Sequence, residues 1–123
     1  MARVLIVDDD EMDRLFNRRV LEKSGHELFF AKNGEEAYRL YLRMGIQVVV
    51  TDLAMPHVDG IELIRELKAL FPDAAIVAVS GKGKEKLAMA KFVGAQAILT
   101  KPVDARALVE AVAKAVASLP ADD

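Results

Sequence analysis

Short aliphatic runs alternate along the chain with longer segments in which apolar residues recur every three or four positions. Four of the five runs are almost continuously apolar, as is typical of parallel strands that are covered on both faces. The predicted strands are Val4–Val7, Leu28–Ala31, Val48–Thr51, Ile76–Val79 and Ala97–Thr100. This strand–helix alternation predicts an α/β fold with a parallel sheet, right-handed crossovers and helices on both faces.

The segments between and after the strands have helical periodicity and recognisable ends. The first helix is predicted over Glu11–Ser24, with Met12, Phe16 and Val20 at positions i, i+4 and i+8, and Met12 fits either the core or a helix face. The remaining helices are predicted from Gly34 to a stop at Gly45, over Ile61–Leu70, over about Lys84–Val93, and after an N-cap at Asp104.

The composition is that of an ordinary globular domain and excludes several classes of protein. Of the 123 residues, 53% are hydrophobic and 29% charged, and the net charge of −2 offers no general attraction for nucleic acid or anionic membrane. No cysteine is present, which excludes disulfides, thiolate metal sites and cysteine nucleophiles. No apolar run approaches the ~20 residues that span a bilayer. We therefore expect one cytoplasmic domain over residues 1–118, with a tail or the start of a linker at 119–123.

Chemically distinctive side chains follow four of the five predicted strands. In open parallel sheets, ligands bind outside the carboxyl ends of the strands. Asp8 and Asp9 follow the first strand, and Asp52 follows the third. Ser80 follows the fourth strand and Lys101 the fifth. Three acids, a hydroxyl group and an amine are therefore predicted to meet in one crevice.

The acid block at residues 8–10 suggests a metal site. Two unit charges ~4 Å apart repel by about 1 kcal/mol even in water, and a divalent cation would offset that repulsion. Mg²⁺ prefers carboxylate, water and phosphate oxygens. The predicted ligands are Asp8, Asp9, Asp52 and the main-chain carbonyl of Ala54, whereas Asp10 is predicted to cap the first helix.

A carboxylate beside a bound metal can attack phosphorus and form an aspartyl phosphate. Asp52 is the candidate nucleophile because it stands alone at the end of a central strand. Phosphoryl transfer depends mainly on positioning and charge stabilisation. Lys101 would neutralise phosphoryl oxygens, and the Ser80 hydroxyl would donate a hydrogen bond to one of them.

The strand-end motifs together resemble those of the response-regulator receiver domains of two-component phosphorelay systems. The motifs are VLIVDDD, TDLAMPHVDG, VAVSG and TKP in this order, and the resemblance covers about residues 3–118. It implies a doubly wound (βα)5 fold with a five-stranded parallel sheet in the flavodoxin-like order 2-1-3-4-5. It also implies Asp52 as the phosphoacceptor, Asp9 as the more direct Mg²⁺ ligand, and a cis peptide bond before Pro102.

The resemblance further implies how such a domain works. The phosphoryl donor would be a sensor histidine kinase or a histidine phosphotransfer protein, and the domain would change conformation to regulate an unknown downstream target or effector domain. It would be a signalling module that assists its own phosphorylation and slow dephosphorylation, without a separate enzymatic activity. We expect a monomer or weak homodimer that does not bind nucleic acid or membranes directly.

One position departs from the family pattern where the switch is expected. The family has an aromatic residue three positions before the lysine, whereas this chain has Ile98, which is smaller and can fill the same pocket in either state. The conformational change is then expected in the glycine-flanked loop 81–84, predicted to be mobile, and at the start of the fourth helix. Ile98 also leaves open a receiver-like binding module that works without phosphorylation.

Two enzymatic or cofactor-binding alternatives fit the residues less well. A magnesium-dependent phosphatase with an aspartyl intermediate would need a second acid two residues after its nucleophile, where this chain has Ala54. A flavodoxin-like flavin binder would need a phosphate-cradling loop after the first strand, where the acid block would repel phosphate.

Overall fold

The computed structural model of the chain describes residues 2–55, 59–81 and 83–120. These residues form five strands and five helices that alternate along the chain. The strands are β1 (Arg3–Val7), β2 (Glu27–Ala31), β3 (Val48–Asp52), β4 (Ala75–Ser80) and β5 (Ala97–Thr100). The helices are α1 (Glu11–Glu22), α2 (Gly34–Met44), α3 (Gly60–Leu70), α4 (Gly83–Val93) and α5 (Ala105–Ala117). The strands pair in parallel in the order β2-β1-β3-β4-β5, which confirms the predicted doubly wound α/β fold.

Two hydrophobic cores lie on opposite faces of this sheet, because successive strand residues point to opposite sides. On one face, Leu5, Val49 and Ile76 belong to a core completed by residues of α2, α3 and α4. On the other face, Ile6 and Val77 belong to a core completed by residues of α1 and α5. Burial on both faces explains why the central strands read as almost unbroken apolar runs.

Capping side chains fix the beginning of four helices. Each accepts a hydrogen bond from a main-chain N–H in the first turn, which satisfies a donor that has no partner within the helix. The caps are Asp10 for α1, Asn33 for α2, Asp59 for α3 and Asp104 for α5. The predicted caps at Asp10 and Asp104 are confirmed.

The buried face of α1 does not follow the row of apolar residues at Met12, Phe16 and Val20. Asn17 and Leu21 are buried in α1, whereas Met12 is 69% exposed. The spacing of the apolar residues therefore does not by itself identify the buried face of α1. At 3.6 residues per turn, Met12 and Leu21 lie on opposite sides of a helix, so burying Leu21 turns Met12 to solvent. The helix also ends at Glu22, two residues earlier than predicted.

Several expectations concern the loops and the C-terminus. The peptide bond between Lys101 and Pro102 is cis, as the resemblance implies. Loop 81–84, which is predicted to be mobile, includes Lys82, and Lys82 lies outside the described residues. Residues 121–123 of the predicted tail also lie outside them. Leu119 packs against the core formed with α1 and α5, and the domain boundary at residue 118 stays a prediction. Among the described residues, no helix is long and apolar enough to cross a membrane.

Candidate functional site

Asp52 is the last residue of β3, and its side chain is almost enclosed. Its Oδ1 atom accepts a hydrogen bond from the main-chain N–H of Ala54 at 3.2 Å. Its Oδ2 atom lies 3.2 Å from Lys101 Nζ. Because β3 lies between β1 and β4, this carboxylate stands in the middle of the carboxyl edge of the sheet, where the sequence predicts it.

The chain passes closely behind Asp52 where α3 begins. The N–H of Gly60 donates to the Leu53 carbonyl at 3.1 Å, and the N–H of Leu53 donates to the Val79 carbonyl at 2.9 Å. A Cβ atom on residue 60 would lie 2.3 Å from the Asp52 main-chain oxygen and 2.6 Å from Leu53 Cα. Only a residue without Cβ permits this approach. Gly60 therefore helps to hold the backbone that carries Asp52.

Asp8 and Asp9 follow β1 but differ in their surroundings. Asp8 is only 3% exposed, and its Oδ1 atom accepts the N–H of Asp10 at 2.9 Å, whereas Asp9 is exposed. One carboxylate oxygen each from Asp8, Asp9 and Asp52 lie within 4.8 Å of one another. This spacing fits a divalent cation that the carboxylates hold directly or through water. The Ala54 carbonyl stays a predicted ligand.

The burial of Asp8 has an electrostatic cost. Burial raises the pKa of Asp8 to about 6, and the charge of Asp52 acts in the same direction. The hydrogen bond from the Asp10 N–H and the charge of Lys101 oppose this rise. At neutral pH the folded chain therefore keeps two acidic groups together against their mutual repulsion, which bound positive charge would relieve.

Lys101 joins the carboxylates into one network, which we call the acid–lysine network and define as Asp8, Asp13, Asp52 and Lys101. Its Nζ atom lies 3.2 Å from Asp52 Oδ2, 3.3 Å from Asp8 Oδ2 and 2.8 Å from Asp13 Oδ2. Burial alone would lower the pKa of Lys101, but the hydrogen bond to Asp13 and the charges of Asp8 and Asp52 raise it above its usual range. The side chain is therefore held as the ammonium ion.

Two residues in the first turns of α1 take part in the site and were missed by the sequence-based prediction. Asp13 makes the shortest contact with Lys101, and Arg14 Nη1 donates to the Asp8 carbonyl at 2.6 Å. The correct orientation of α1 would have revealed Asp13, since it precedes buried Asn17 by four positions and so shares its face. The face shared by Asp13 and Asn17 was hard to recognise in the sequence because α1 also carries apolar residues on another face.

The structure also places the two residues of the predicted switch. Ser80 is buried at the end of β4, one residue beyond the strand partner of Asp52, and its carbonyl accepts the N–H of Lys101 at 3.0 Å. Ile98 is 40% exposed. In this structure Ile98 is therefore not enclosed in a pocket, because β5 is an edge strand, and its behaviour on phosphorylation stays a prediction.

Comparisons with known proteins agree with this geometry. The family model for the response regulator receiver domain matches residues 4–113. The chain is 33% identical over 114 residues to the chemotaxis protein CheY of Thermotoga maritima, covering 91% of this chain and 95% of that protein. It is 35% identical over 89 residues to the sensor kinase CckA of Brucella abortus, covering 71% of this chain and 9% of that protein.

The fold comparison leads to the same family. The crystal structure of a response regulator receiver domain protein from Clostridium thermocellum is similar with a TM-score of 0.88 and 31% sequence identity, covering 95% of each chain. The chain therefore belongs to the response regulator receiver domain family. It is a signalling module of the two-component type, a class that is phosphorylated on aspartate and works with histidine kinases. The resemblance inferred from the strand-end motifs is confirmed.

Proposed function

We propose that this receiver domain takes a phosphoryl group from a sensor histidine kinase or a histidine phosphotransfer protein onto Asp52 and then regulates a downstream partner. The observation that carries the proposal is the 3.2 Å contact between Asp52 Oδ2 and Lys101 Nζ, a cation that buried Asp8 shares. A nearly enclosed carboxylate with a cation at bonding distance is suited to receive an anionic group. A cytoplasmic location and a monomeric or weakly dimeric state stay predictions.

The proposed step joins an Asp52 carboxylate oxygen to the phosphorus of a phosphohistidine. A P–O bond forms as the P–N bond breaks, and the donor imidazole leaves with the electron pair. Phosphoryl transfer is catalysed mainly by positioning and charge stabilisation. Lys101 would move its hydrogen bonds from the carboxylates to phosphoryl oxygens, and the Ser80 hydroxyl would donate to another of these oxygens.

The donor set fits Mg²⁺, with Asp8, Asp9, Asp52 and the Ala54 carbonyl as the proposed ligands. When bound, this ion would supply further positive charge for the phosphoryl group. The chain itself contributes the arrangement of the ligands. The Asp10 N–H orients the Asp8 carboxylate, and Arg14 holds the Asp8 carbonyl.

The residue two positions after Asp52 bears on the lifetime of the phosphoryl group. Ala54 has no side chain that can take a proton from an attacking water. Its N–H is instead the donor that orients Asp52. We therefore expect the domain to promote its own phosphorylation and to lose the phosphoryl group slowly, which suits a signalling role better than turnover of a substrate.

Intact-protein mass spectrometry after incubation with acetyl phosphate and Mg²⁺ tests the proposal. The wild type is expected to gain a phosphoryl adduct that depends on Mg²⁺, and Asp52→Asn is expected to gain none. Asp104→Asn is the matched control, because Asn caps a helix as well as Asp and Asp104 lies at the start of α5. An adduct that persists unchanged in Asp52→Asn would refute the assignment.

The regulatory part of the proposal predicts where the conformation changes. Phosphorylation adds charge and acceptor oxygens next to Ser80 and Lys101, so the response is expected to begin in the segment that follows β4. Hydrogen exchange with and without beryllofluoride, a phosphoryl mimic, should show increased protection over Ser80–Leu87 and little change over Ala97–Leu99. The reverse pattern, or no change in either segment, would refute this account of the switch and leave the Asp52 chemistry intact.

A further inference from the structure

Lys101 has more acidic partners than the proposed phosphorylation chemistry requires. Asp8 and Asp52 belong to the proposed metal and phosphoacceptor groups, whereas Asp13 belongs to neither. Yet Asp13 makes the shortest of the three contacts, at 2.8 Å against 3.2 Å and 3.3 Å. A charged hydrogen bond of this length is among the stronger ones that an ammonium ion makes.

The environment of Asp13 also differs from that of the other two acids. The Asp13 side chain is 40% exposed, and the Lys101 side chain is 26% exposed. Losing the contact would therefore leave Asp13 in water and not as a buried, unpaired charge. Asp8 and Asp52 lack this freedom because their side chains are only 4% and 6% exposed.

The space around the Asp13–Lys101 pair permits a rearrangement. The two side chains line a cavity of about 200 Å³, whose other walls include Asn17, Phe16 and Val103. Lys101 can thus exchange one partner for another without displacing a packed core residue.

We infer that Asp13 is a positioning residue that competes with the phosphoryl group for Lys101. It holds the ammonium group in the unphosphorylated domain and gives it up when the phosphoryl oxygens become available. The inference rests on the proposed function, since it assumes that Lys101 binds the phosphoryl group at Asp52. A group shifts a two-state equilibrium only when it interacts differently with the two states. Asp13 binds Lys101 in the unphosphorylated state and not in the phosphorylated one, so it lowers the stability of the phosphorylated state relative to the other.

Beryllofluoride binding at saturating Mg²⁺, followed by fluorine NMR, tests this role. Asp13→Asn removes the competing charge and should bind beryllofluoride roughly threefold to fivefold more tightly than the wild type, the upper range for a partly exposed ion pair. Asp13→Glu keeps a carboxylate within reach of Lys101 and should restore the wild-type affinity. Asp13→Ser repeats the test if the Asn variant is poorly folded.

Asp10→Asn is the matched control for the loss of a negative charge near the crevice. Asp10 lies in the same region and caps α1 through Met12, Asn preserves that cap, and neither Asp10 oxygen contacts Lys101. We expect this variant to bind beryllofluoride like the wild type. Equal affinities in Asp13→Asn and Asp10→Asn, or weaker binding in Asp13→Asn, would overturn the role of Asp13. A wild type that binds no beryllofluoride would instead overturn the proposed function, and the inference with it.

Discussion

The acid–lysine network and the edge of the sheet at β5 differ in how deeply the fold buries their side chains. We define the apolar edge as Met89 and Phe92 on α4 and Ile98 on β5. Asp8 and Asp52 are 3% and 5% exposed although they carry charge, whereas Phe92 is 86% exposed although it is apolar. The usual distribution of residue types is thus reversed in both regions. The buried charges are the more informative of the two, since apolar side chains are common on protein surfaces.

Sheet position explains the difference. β3 has a strand on each side and a helix layer on each face, and each of its residues is buried. β5 is an edge strand whose residues alternate between partly buried and exposed. Groups at the end of β3 are therefore held in one arrangement, while groups on β5 and α4 stay accessible to another molecule. The proposed phosphoacceptor thus stands in the more buried part of the sheet.

Among changes in the functional site, removing the shared cation should have the largest effect on stability. Lys101→Met leaves the buried carboxylates of Asp8 and Asp52 without their ion pair, and we expect the free energy of unfolding to fall by about 2–3 kcal/mol, somewhat less than for a fully buried pair. Urea unfolding at neutral pH without metal measures the change. Lys91→Met is the control because Lys91 is exposed and its Nζ atom donates to the Gln96 carbonyl and not to a carboxylate. Equal losses in both variants would show that the network does not contribute through its charges.

The backbone behind Asp52 should be nearly as sensitive. Gly60→Ala places a methyl group where the Asp52 main-chain oxygen would lie 2.3 Å away, so we expect a loss of about 2 kcal/mol from overpacking. Gly81→Ala is the matched control, since the nearest atom would be Lys101 Cβ at 3.5 Å, an ordinary contact. Thermal or urea unfolding compares the two. If Gly81→Ala proves the more destabilising, the region around Asp52 is less rigid than its packing indicates.

The affinity for Mg²⁺ should depend on pH through Asp8. Its pKa is about 6 in the folded chain, and a carboxylate must lose its proton to bind a metal. Mg²⁺ affinity is therefore expected to be constant above about pH 7 and to fall by about tenfold per pH unit below 6. Calorimetric titration over this range measures the profile. Asp9→Ala should weaken binding throughout yet keep the same pH dependence, and a profile that is flat down to pH 5 would exclude Asp8 as the titrating ligand.

The apolar edge should give the smallest effect. Phe92→Ala removes a ring that is 86% exposed, so we expect the free energy of unfolding to change by less than about 0.5 kcal/mol. Phosphorylation of Asp52 should be unchanged. Leu87→Ala is the contrasting variant on the same helix, because Leu87 is buried in the core beneath α4 and its truncation should cost about 2–4 kcal/mol. A strongly destabilised Phe92→Ala would show that the apolar edge is part of the core.

Prediction of the site from sequence worked where the topology alone decides position. The carboxyl ends of parallel strands must meet at one edge, so Asp8, Asp9, Asp52 and Lys101 could be grouped once the aliphatic runs were recognised. Prediction from sequence failed for residues whose position depends on how a helix is rotated about its axis. Asp13 is the example, because the apolar spacing of Met12 and Phe16 does not identify the buried face of α1.

The sequence by itself determined the order of the elements, the two-sided sheet and the strand-end chemistry, because these follow from local periodicity and chain direction. Only the tertiary structure decided the remaining features. Gly60 lies against Asp52, Asp13 meets Lys101, and Ile98 remains partly open. Each of these depends on how closely whole elements pack against one another. Such distances result from the packing of both cores at once, and no short stretch of sequence encodes them.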